Sequence, residues 1–378
     1  MIVLQVKTER LLDQFFELVQ VDSETKFEAT ISKKLKEIFE SLGLEVEEDR
    51  ASDHIDHEAN NLVFTLPANT DGVDSIYFTS HMDTVTPGVG IKPSIQDGYV
   101  ISDGTTILGA DDKAGIAAMI EAIRILQETN MKHGMVQFVI TVGEESGLAG
   151  AKVIDQSLMK AKFGYALDSD GPVGNIVTSA PYQAHFKAKV FGESAHAGAP
   201  EKGISAITLA AKAISKMKLG RIDEETTANI GYFKGGKETQ TNVVVDYAEI
   251  VAEARSLNGE KLESITAQME EAFQTTVAAL GGDVEVSIEQ VYPGFQMEEN
   301  NEVVQVAKSV ASSLELPFAM VQSGGGSDAN IFNGHGIPTG NLSVGYEFIH
   351  TTKERIPVEQ LEKLTTYILH IMKHVAER

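Results

Sequence analysis

The chain has 378 residues, which is enough for two domains with cores of their own. Its net charge of -24 argues against nucleic acids and anionic membrane surfaces as partners, because both attract Lys and Arg. The absence of cysteine excludes disulfides and thiolate metal sites, so a transition-metal site must use His, Asp and Glu. No signal-peptide pattern and no membrane-length apolar run is present, so we expect a cytoplasmic protein.

The first half of the chain predicts alternating helices and strands. The predicted elements are helices at 5–20 and 25–42, strands at 61–66 and 75–80, a helix from about residue 112, and strands at 136–142 and 163–167. Between them, residues 51–60 contain His54 and His57 beside acidic residues. Because no predicted element flanks these histidines, we expect a solvated loop there and not a metal site.

Residues 182–292 follow a different pattern. The predicted elements are strand 183–191, helix 203–217, strands 228–233 and 242–255, helix 259–280 and strand 283–291. This βαββαβ order predicts a ferredoxin-like antiparallel sheet with helices on one face. We therefore expect an α+β lid domain at 181–292.

The α/β pattern returns after the lid. The predicted elements are helix 301–314, strands 318–321 and 337–343, and helix 357–376. We therefore expect the lid to be inserted into a discontinuous catalytic domain, residues 1–180 and 293–378. The fold class is α/β, an α/β/α catalytic domain around a central mixed sheet.

Three predicted strands end in imidazole or carboxylate side chains. His81 and Asp83 follow the strand at 75–80, and at strand spacing residues two apart project to the same side. Glu144 and Glu145 follow the strand at 136–142, and Asp168 follows the strand at 163–167. Because sites in open α/β sheets gather outside the carboxyl ends of the strands, we expect these side chains to meet.

Asp111 stands in a glycine-flanked turn before a helix and is suited to bridging two cations. One site could be completed by His81 and Asp168, the other by Glu145 and His350. Two divalent ions carry four positive charges against three carboxylates, and this surplus would favour hydroxide over water between them. Imidazole and carboxylate ligands suit zinc, with cobalt and manganese as alternatives.

Glu144 precedes the ligand Glu145. Adjacent side chains in loop backbone point in different directions, so one can bind a metal while the other faces the water as general base. A solvated acidic turn is the alternative, and the buried strand before it together with Gly143 and Gly147 argues against that alternative.

These segments resemble the co-catalytic di-zinc exopeptidases, the family of peptidase T, glutamate carboxypeptidases and aminoacylases, and the peptidase T branch is the most similar. The matching stretches occur in the family's order over nearly the whole chain. They are SHMDTV (80–85), GADDKAG (109–115), VGEESG (142–147), ALDSD (166–170), GESAHAG (192–198), TNVVVDYAEIVAEARS (241–256), GGGSDAN (324–330) and FIHTTKERI (348–356).

The resemblance implies the same five metal ligands and Glu144 as the base. It also implies that Asp83 orients His81 and that the peptide bond between Asp111 and Asp112 is cis.

In the lid, the resemblance implies that His196 reaches across a homodimer to the tetrahedral oxyanion. It also implies that Arg255 and Asn242 hold the polar or carboxylate end of the substrate. An arginine fork suits a carboxylate, although a surface ion pair at a strand end explains Arg255 equally well. The glycine run around Gly325 presents backbone amides to an anion or forms a plain flexible turn.

The chain departs from the family pattern at Ala197 and Val245, where the family has proline, which leaves the substrate class open. His370 and His374 are four apart on the last predicted helix and are expected on its surface, because no glutamate stands between them as in metalloprotease helices.

We therefore expect a zinc-dependent exopeptidase for short peptides, an aminopeptidase or tripeptidase of peptidase T type that uses a metal-bound hydroxide. The alternatives are an amidohydrolase or carboxypeptidase of the same family, or a catalytically inactive protein that binds metal or peptide.

Overall fold

The computed structural model describes residues 4–378. The helices are α1 (Thr8–Val19), α2 (Ala29–Ser41), α3 (Ala110–Glu128), α4 (Ala149–Val153), α5 (Ala206–Ile214), α6 (Gly259–Ala279), α7 (Glu302–Ser313), α8 (Asp328–Gly334) and α9 (Val358–Ala376). Among these described helices, none has the length and apolar character needed to cross a membrane.

The strands, in chain order, alternate with these helices. They are β1 (Glu45–Glu48), β2 (Leu62–Leu66), β3 (Ile76–His81), β4 (Ser94–Gln96), β5 (Tyr99–Ile101), β6 (Val136–Thr141), β7 (Phe163–Ser169), β8 (Ile176–Ala180), β9 (Tyr182–Phe191), β10 (Ala195–His196), β11 (Gly220–Arg221), β12 (Thr226–Gly235), β13 (Val243–Val244), β14 (Tyr247–Ser256), β15 (Asp283–Tyr292), β16 (Phe295–Gln296), β17 (Met320–Gln322), β18 (Thr339–Ser343) and β19 (Arg355–Pro357).

The chain divides into two compact units. Within the described residues, unit 1 comprises 4–178, 297–323 and 327–378, and unit 2 comprises 179–296 and 324–326. The short segment 324–326 groups with unit 2 because Gly326 lies against the ring of Tyr292 and the carbonyl of Gly324 accepts a hydrogen bond from Arg255.

The core of unit 1 is a mixed sheet, as the sequence predicts. Its strands lie in the order β1-β2-β6-β3-β7-β18-β8. The central strands β6, β3, β7 and β18 run parallel, while β1, β2 and β8 pair antiparallel. Every residue of β2, β3, β6 and β18 is buried. Such fully buried strands require cover on both faces of the sheet.

Alternate residues of these strands supply the two faces. On one face Phe64 stacks on Phe39 of α2 at 4.0 Å between ring centroids. On the other face Tyr77 packs against Phe332 of α8 at 5.4 Å. The sheet is therefore fixed from both sides, and the parallel strands β3, β6 and β7 bring their carboxyl ends to the same edge.

Unit 2 is built on an antiparallel sheet in the order β11-β12-β14-β9-β15. Burial alternates along β9 and β14, so one face is apolar and packs against α5 and α6. Phe186 of β9 and Phe273 of α6 lie 5.4 Å apart at the centre of this layer. The predicted α+β lid fold with βαββαβ order is confirmed.

The predicted strand at 242–255 is broken in the structure. β13 pairs with β10, and β14 begins only at Tyr247. The break occurs at Val245, whose carbonyl accepts from the N–H of Ala206 outside the sheet.

Candidate metal centre and active site

The imidazole of His81 lies at the end of the buried strand β3 and is only 2% exposed. Its Nε2 is 3.1 Å from Oδ1 of Asp111 and 3.9 Å from Oδ1 of Asp168. Its Nδ1 donates to the main-chain carbonyl of Asp83 at 3.0 Å and lies 3.4 Å from the carboxylate of that residue. Asp83 therefore orients the ring through its carbonyl as well as its carboxylate, and Nε2 faces the carboxylates.

The Asp83 carboxylate also fixes the turn that follows β6. It is fully buried and accepts hydrogen bonds from the main-chain N–H groups of Glu144 at 3.0 Å and Glu145 at 3.2 Å. Burial opposes its ionisation, but the bonds from His81 and the turn outweigh burial and lower the pKa of Asp83. One carboxylate thus links the end of β3 to the end of β6.

Asp111 presents its two carboxylate oxygens to two different imidazoles. Oδ1 is 3.1 Å from Nε2 of His81, and Oδ2 is 3.2 Å from Nε2 of His350. The same His350 nitrogen is 3.0 Å from Oε1 of Glu145. The peptide bond between Asp111 and Asp112 is cis, as the resemblance implies. This divided carboxylate has the arrangement that a bridging ligand requires.

Among residues 4–378, three groups of side chains have ligand atoms within 4.8 Å of one another: His81 with Asp111 and Asp168, His81 with Glu144 and Glu145, and Asp111 with Glu145 and His350. The first and third groups share Asp111 and together contain the five predicted ligands. Imidazole nitrogen and carboxylate oxygen are donors that zinc, cobalt and manganese accept. By donor chemistry and spacing, the residues fit two divalent cations.

Burial and neighbouring charged groups shift the pKa values in this cluster. Burial raises the pKa of Glu144 well above its usual range, and the charge of Asp168 adds to the effect. Burial and the neighbouring Asp111 raise the pKa of Asp168 in the same way. The carboxylates of Asp111 and Glu145 raise the pKa of His350 to about 10. Protons therefore neutralise the cluster when cations do not, and cations must displace them.

Two residues that the sequence analysis missed hold Asp168. Asn341 of β18 accepts from the main-chain N–H of Asp168 at 2.9 Å and donates to its carbonyl at 2.6 Å. The hydroxyl of Tyr346 donates to Oδ1 of Asp168 at 3.1 Å. An asparagine inside an apolar strand predicted at 337–343 was the available signal for the first of these contacts.

Glu354 was also missed, although it lies in the same matching stretch as His350. It is buried and accepts from the main-chain N–H groups of Leu108 at 2.7 Å, Gly109 at 2.8 Å and Asp111 at 3.0 Å. Burial raises the pKa of its carboxyl to about 7. Glu354 thus fixes the turn that carries Asp111 and ties it to the His350 loop.

The expectation for the loop at 51–60 is correct for His54, which is exposed, and wrong for His57. The His57 side chain is 3% exposed and is hydrogen-bonded to the buried Glu28, a partner 29 residues away that local sequence does not reveal. On α9, His370 and His374 are partly buried, and the metal-type groups found among residues 4–378 do not include them.

The predicted substrate residues form two local groups in unit 2. Nδ1 of the exposed His196 accepts from the N–H of Gly198 at 2.9 Å, and the carbonyl of Asn242 accepts from Ala197 at 3.0 Å. Since Nδ1 is an acceptor, the neutral ring carries its hydrogen on Nε2.

The second local group contains Arg255. Its Nε donates to Glu253 at 3.0 Å and one terminal nitrogen donates to the carbonyl of Gly324 at 3.0 Å. A Cβ placed on Gly325 would lie 3.7 Å from that nitrogen. The ion pair with Glu253 is present, and the predicted role of Arg255 in binding substrate stays a prediction.

Residues 77–374 match the family model described as Peptidase family M20/M25/M40. The chain belongs to this family. The matched range contains all five predicted metal ligands.

Solved structures and a curated relative agree with this membership. The chain is 60% identical to the aminopeptidase PepT from Bacillus cereus ATCC 10987, with a TM-score of 0.94 over 98% of this chain and 99% of that one. It is 51% identical to a tripeptidase from Staphylococcus aureus, with a TM-score of 0.96 over 99% of this chain and 100% of that one. Peptidase T of Lysinibacillus sphaericus is 28% identical, over 98% of this chain and 99% of the relative. The resemblance to peptidase T is confirmed.

Proposed function

We propose that this M20 peptidase is a zinc-dependent aminopeptidase or tripeptidase that removes residues from short peptides in the cytoplasm. The chain is a peptide-hydrolysing exopeptidase, and its family is metal-dependent. The observation that carries the proposal is the carboxylate of Asp111, which offers one oxygen towards His81 and the other towards His350.

One cation would be held by His81, Asp168 and Asp111, and the other by His350, Glu145 and Asp111. When bound, such cations supply Lewis acidity to the scissile carbonyl and to water. The chain's own part is to orient these ligands, through Asp83, Asn341, Tyr346 and Glu354.

We assign the role of general base to Glu144. Its main-chain N–H is fixed by Asp83, and its side chain belongs to the same cluster as His81 and Glu145. Burial and neighbouring acids favour a proton on this carboxyl, so the group is suited to receive a proton from water and to deliver it to the leaving amine.

We propose catalytic and lid domains at 1–180 with 293–378 and at 181–292, respectively. In the lid, we assign His196 as the donor to the oxyanion of a partner protomer in a homodimer, and Asn242, Arg255 and Gly325 as contacts to the polar end of the peptide. The support for His196 is the tautomer set by Gly198, which places a donor on Nε2.

The test of the base is Glu144→Ala. Turnover of a tripeptide should fall by about 100- to 10,000-fold while the protein retains its bound metal, because a general base contributes about that much. Normal turnover in this variant would overturn the mechanism, whereas an inactive wild type at every metal loading would support a binding protein.

The test of substrate class compares one tripeptide with a free and with an acetylated amino terminus. An aminopeptidase should cleave only the free form. Cleavage of the acetylated form with release of the carboxyl-terminal residue would identify a carboxypeptidase, and release of acetate would identify a deacylase.

A further inference from the structure

Three side chains, the buried Glu28 and His57 and the exposed Ser146, form a hydrogen-bonded chain that ends on the turn at 143–147. The Glu28 carboxylate is fully buried and the His57 side chain is 3% exposed. Nδ1 of His57 donates to Oε1 of Glu28 at 2.7 Å. With that tautomer, Nε2 accepts from the hydroxyl of Ser146 at 3.0 Å. The three residues come from distant parts of unit 1 and meet only through folding.

The Glu28 end of this chain is anchored to backbone. Oε1 of Glu28 also accepts from the N–H of Lys26 at 2.8 Å, and the carbonyl of Lys26 accepts from the N–H of Glu58 at 3.1 Å. The Ser146 hydroxyl lies 3.1 Å from the carbonyl oxygen of Gly143. The orientation of His57 is therefore determined by contacts at both ring nitrogens.

The ring of His57 also touches the first residue of the turn. Gly143 has a φ of +60°, and a Cβ there would lie 2.3 Å from the imidazole. Only glycine fits this contact, so the backbone of residue 143 lies directly on the ring. Glu144 and Glu145 thus stand between two residues that His57 contacts, Gly143 and Ser146.

We propose that Glu28, His57 and Ser146 are positioning residues that hold the turn carrying Glu144 and Glu145 in its reactive geometry. Asp83 accepts hydrogen bonds from the main-chain N–H groups of the two glutamates, and His57 contacts the residues on either side of them. This inference rests on the proposed role of Glu144. In it, His57 contacts neither substrate nor metal and affects the reaction only through the turn that carries Glu144.

The first test is a double-mutant cycle of Ser146→Ala and His57→Phe. Each variant should lower kcat by about 10- to 100-fold with little change in KM, since a displacement of about 1 Å at a reacting group has effects of that size. Because both changes break the bond between Ser146 and His57, the double variant should lose no more than His57→Phe alone, which also removes the bond to Glu28. If the loss of kcat in the double variant equals the product of the two single losses, or if kcat is unchanged in the single variants, the proposal is overturned.

Two variants serve as matched controls. His54→Ala removes an exposed histidine from the same loop and should leave kcat unchanged. Ser146→Thr keeps the hydroxyl and should recover most of the activity that Ser146→Ala loses. Should His57→Phe fail to fold, the exposed Ser146 still supplies both the alanine and the threonine variant.

The second test is amide hydrogen exchange of a peptide covering residues 142–149 in the metal-free protein. Exchange should accelerate in Ser146→Ala and His57→Phe and stay at the wild-type rate in His54→Ala. Equal rates in all four proteins would overturn the positioning role. This readout needs no turnover, so it separates failure of this inference from failure of Glu144 as the base.

Discussion

The proposed metal centre and the proposed substrate residues differ in how they are held. In unit 1, His81, Asp83 and Asp111 are buried and bonded to one another across several strand ends. In unit 2, His196 is exposed and its ring is bonded to its own loop, while Arg255 is paired with a neighbour two residues away. The first region is a buried cluster, and the second is more exposed to solvent.

The difference teaches what each region can do by itself. In unit 1, burial and neighbouring acids raise the pKa values of Glu144 and Asp168, and bound cations would offset the repulsion between these carboxylates. The proposed metal site therefore depends on residues of unit 1. The exposed imidazole of His196 and the partly buried guanidinium of Arg255 are not in such a cluster, so their contribution is expected only when substrate is present. Variants in the two regions should therefore fail in different ways.

Metal removal should have the largest effect on activity, and this effect should arise from the buried cluster of unit 1. Chelation should abolish activity, and zinc, cobalt or manganese should restore it, because the donors are imidazole and carboxylate. The thermal midpoint should rise with metal added, since ligands that bind the native state stabilise it. Activity assays and calorimetry on the chelated and reloaded protein measure both effects.

A His370→Ala, His374→Ala variant provides the control for metal removal. It should respond to chelator and zinc as the wild type does, because these residues lie outside the metal-type groups of the described chain. Full activity of the chelated wild type, with metal content verified as absent, would contradict the proposed centre.

His196→Ala tests the exposed region next. Loss of one donor to an oxyanion should lower kcat by about 100- to 1,000-fold. Metal content and thermal midpoint should stay at wild-type values because the side chain is exposed. The control is His185→Ala, an exposed histidine of the same unit on β9. A variant with wild-type kcat would remove His196 from the mechanism.

Glu354→Gln, in the buried region, should have an intermediate effect on stability and metal affinity. The amide presents N–H groups towards the backbone donors of Leu108, Gly109 and Asp111, so at least one of them loses its acceptor. We expect a loss of about 1–3 kcal/mol in the free energy of unfolding. Metal affinity should fall about 10- to 100-fold, as for other residues that orient ligands.

Urea unfolding and metal titration measure the effect of Glu354→Gln. Glu347→Gln is the matched control, because Glu347 belongs to the same loop but its side chain is 37% exposed and pairs with Arg355. Equal metal affinity in the two variants would show that Glu354 does not position Asp111.

Arg255→Ala should have the smallest effect. The guanidinium is already paired with Glu253, so its loss should raise KM severalfold and leave kcat, metal content and stability close to the wild-type values. Glu253→Gln separates the two explanations. If it reproduces the change in KM, the ion pair matters and a direct contact of Arg255 with substrate is not needed.

Much of the fold and the ligand set follows from local pattern. Apolar runs ending in His81, Glu145 and Asp168 predict strands whose carboxyl ends carry polar groups, and the parallel pairing of β3, β6 and β7 agrees. The βαββαβ order of the lid is equally legible. Alternation and strand ends are properties of short segments, which sequence records directly.

The residues that support the site could not be predicted from local sequence. Glu354, Asn341 and His57 look like ordinary polar residues in sequence, and the loop of His57 has no predicted element beside it, which favoured the prediction of a solvated loop. Their roles come from bonds that span 243, 173 and 89 residues of chain. Such pairs are determined by which segments pack together, and no local period reports that.

The sequence by itself therefore determined the kinds of donor available, their order at the ends of strands, and the exclusion of thiolate chemistry, since these depend on residue type and short-range spacing. The tertiary structure alone decided that the two oxygens of Asp111 face different imidazoles and that His57 is buried beneath the turn of Glu144. The physical reason is that burial and hydrogen-bond partners arise only when distant segments exclude water together.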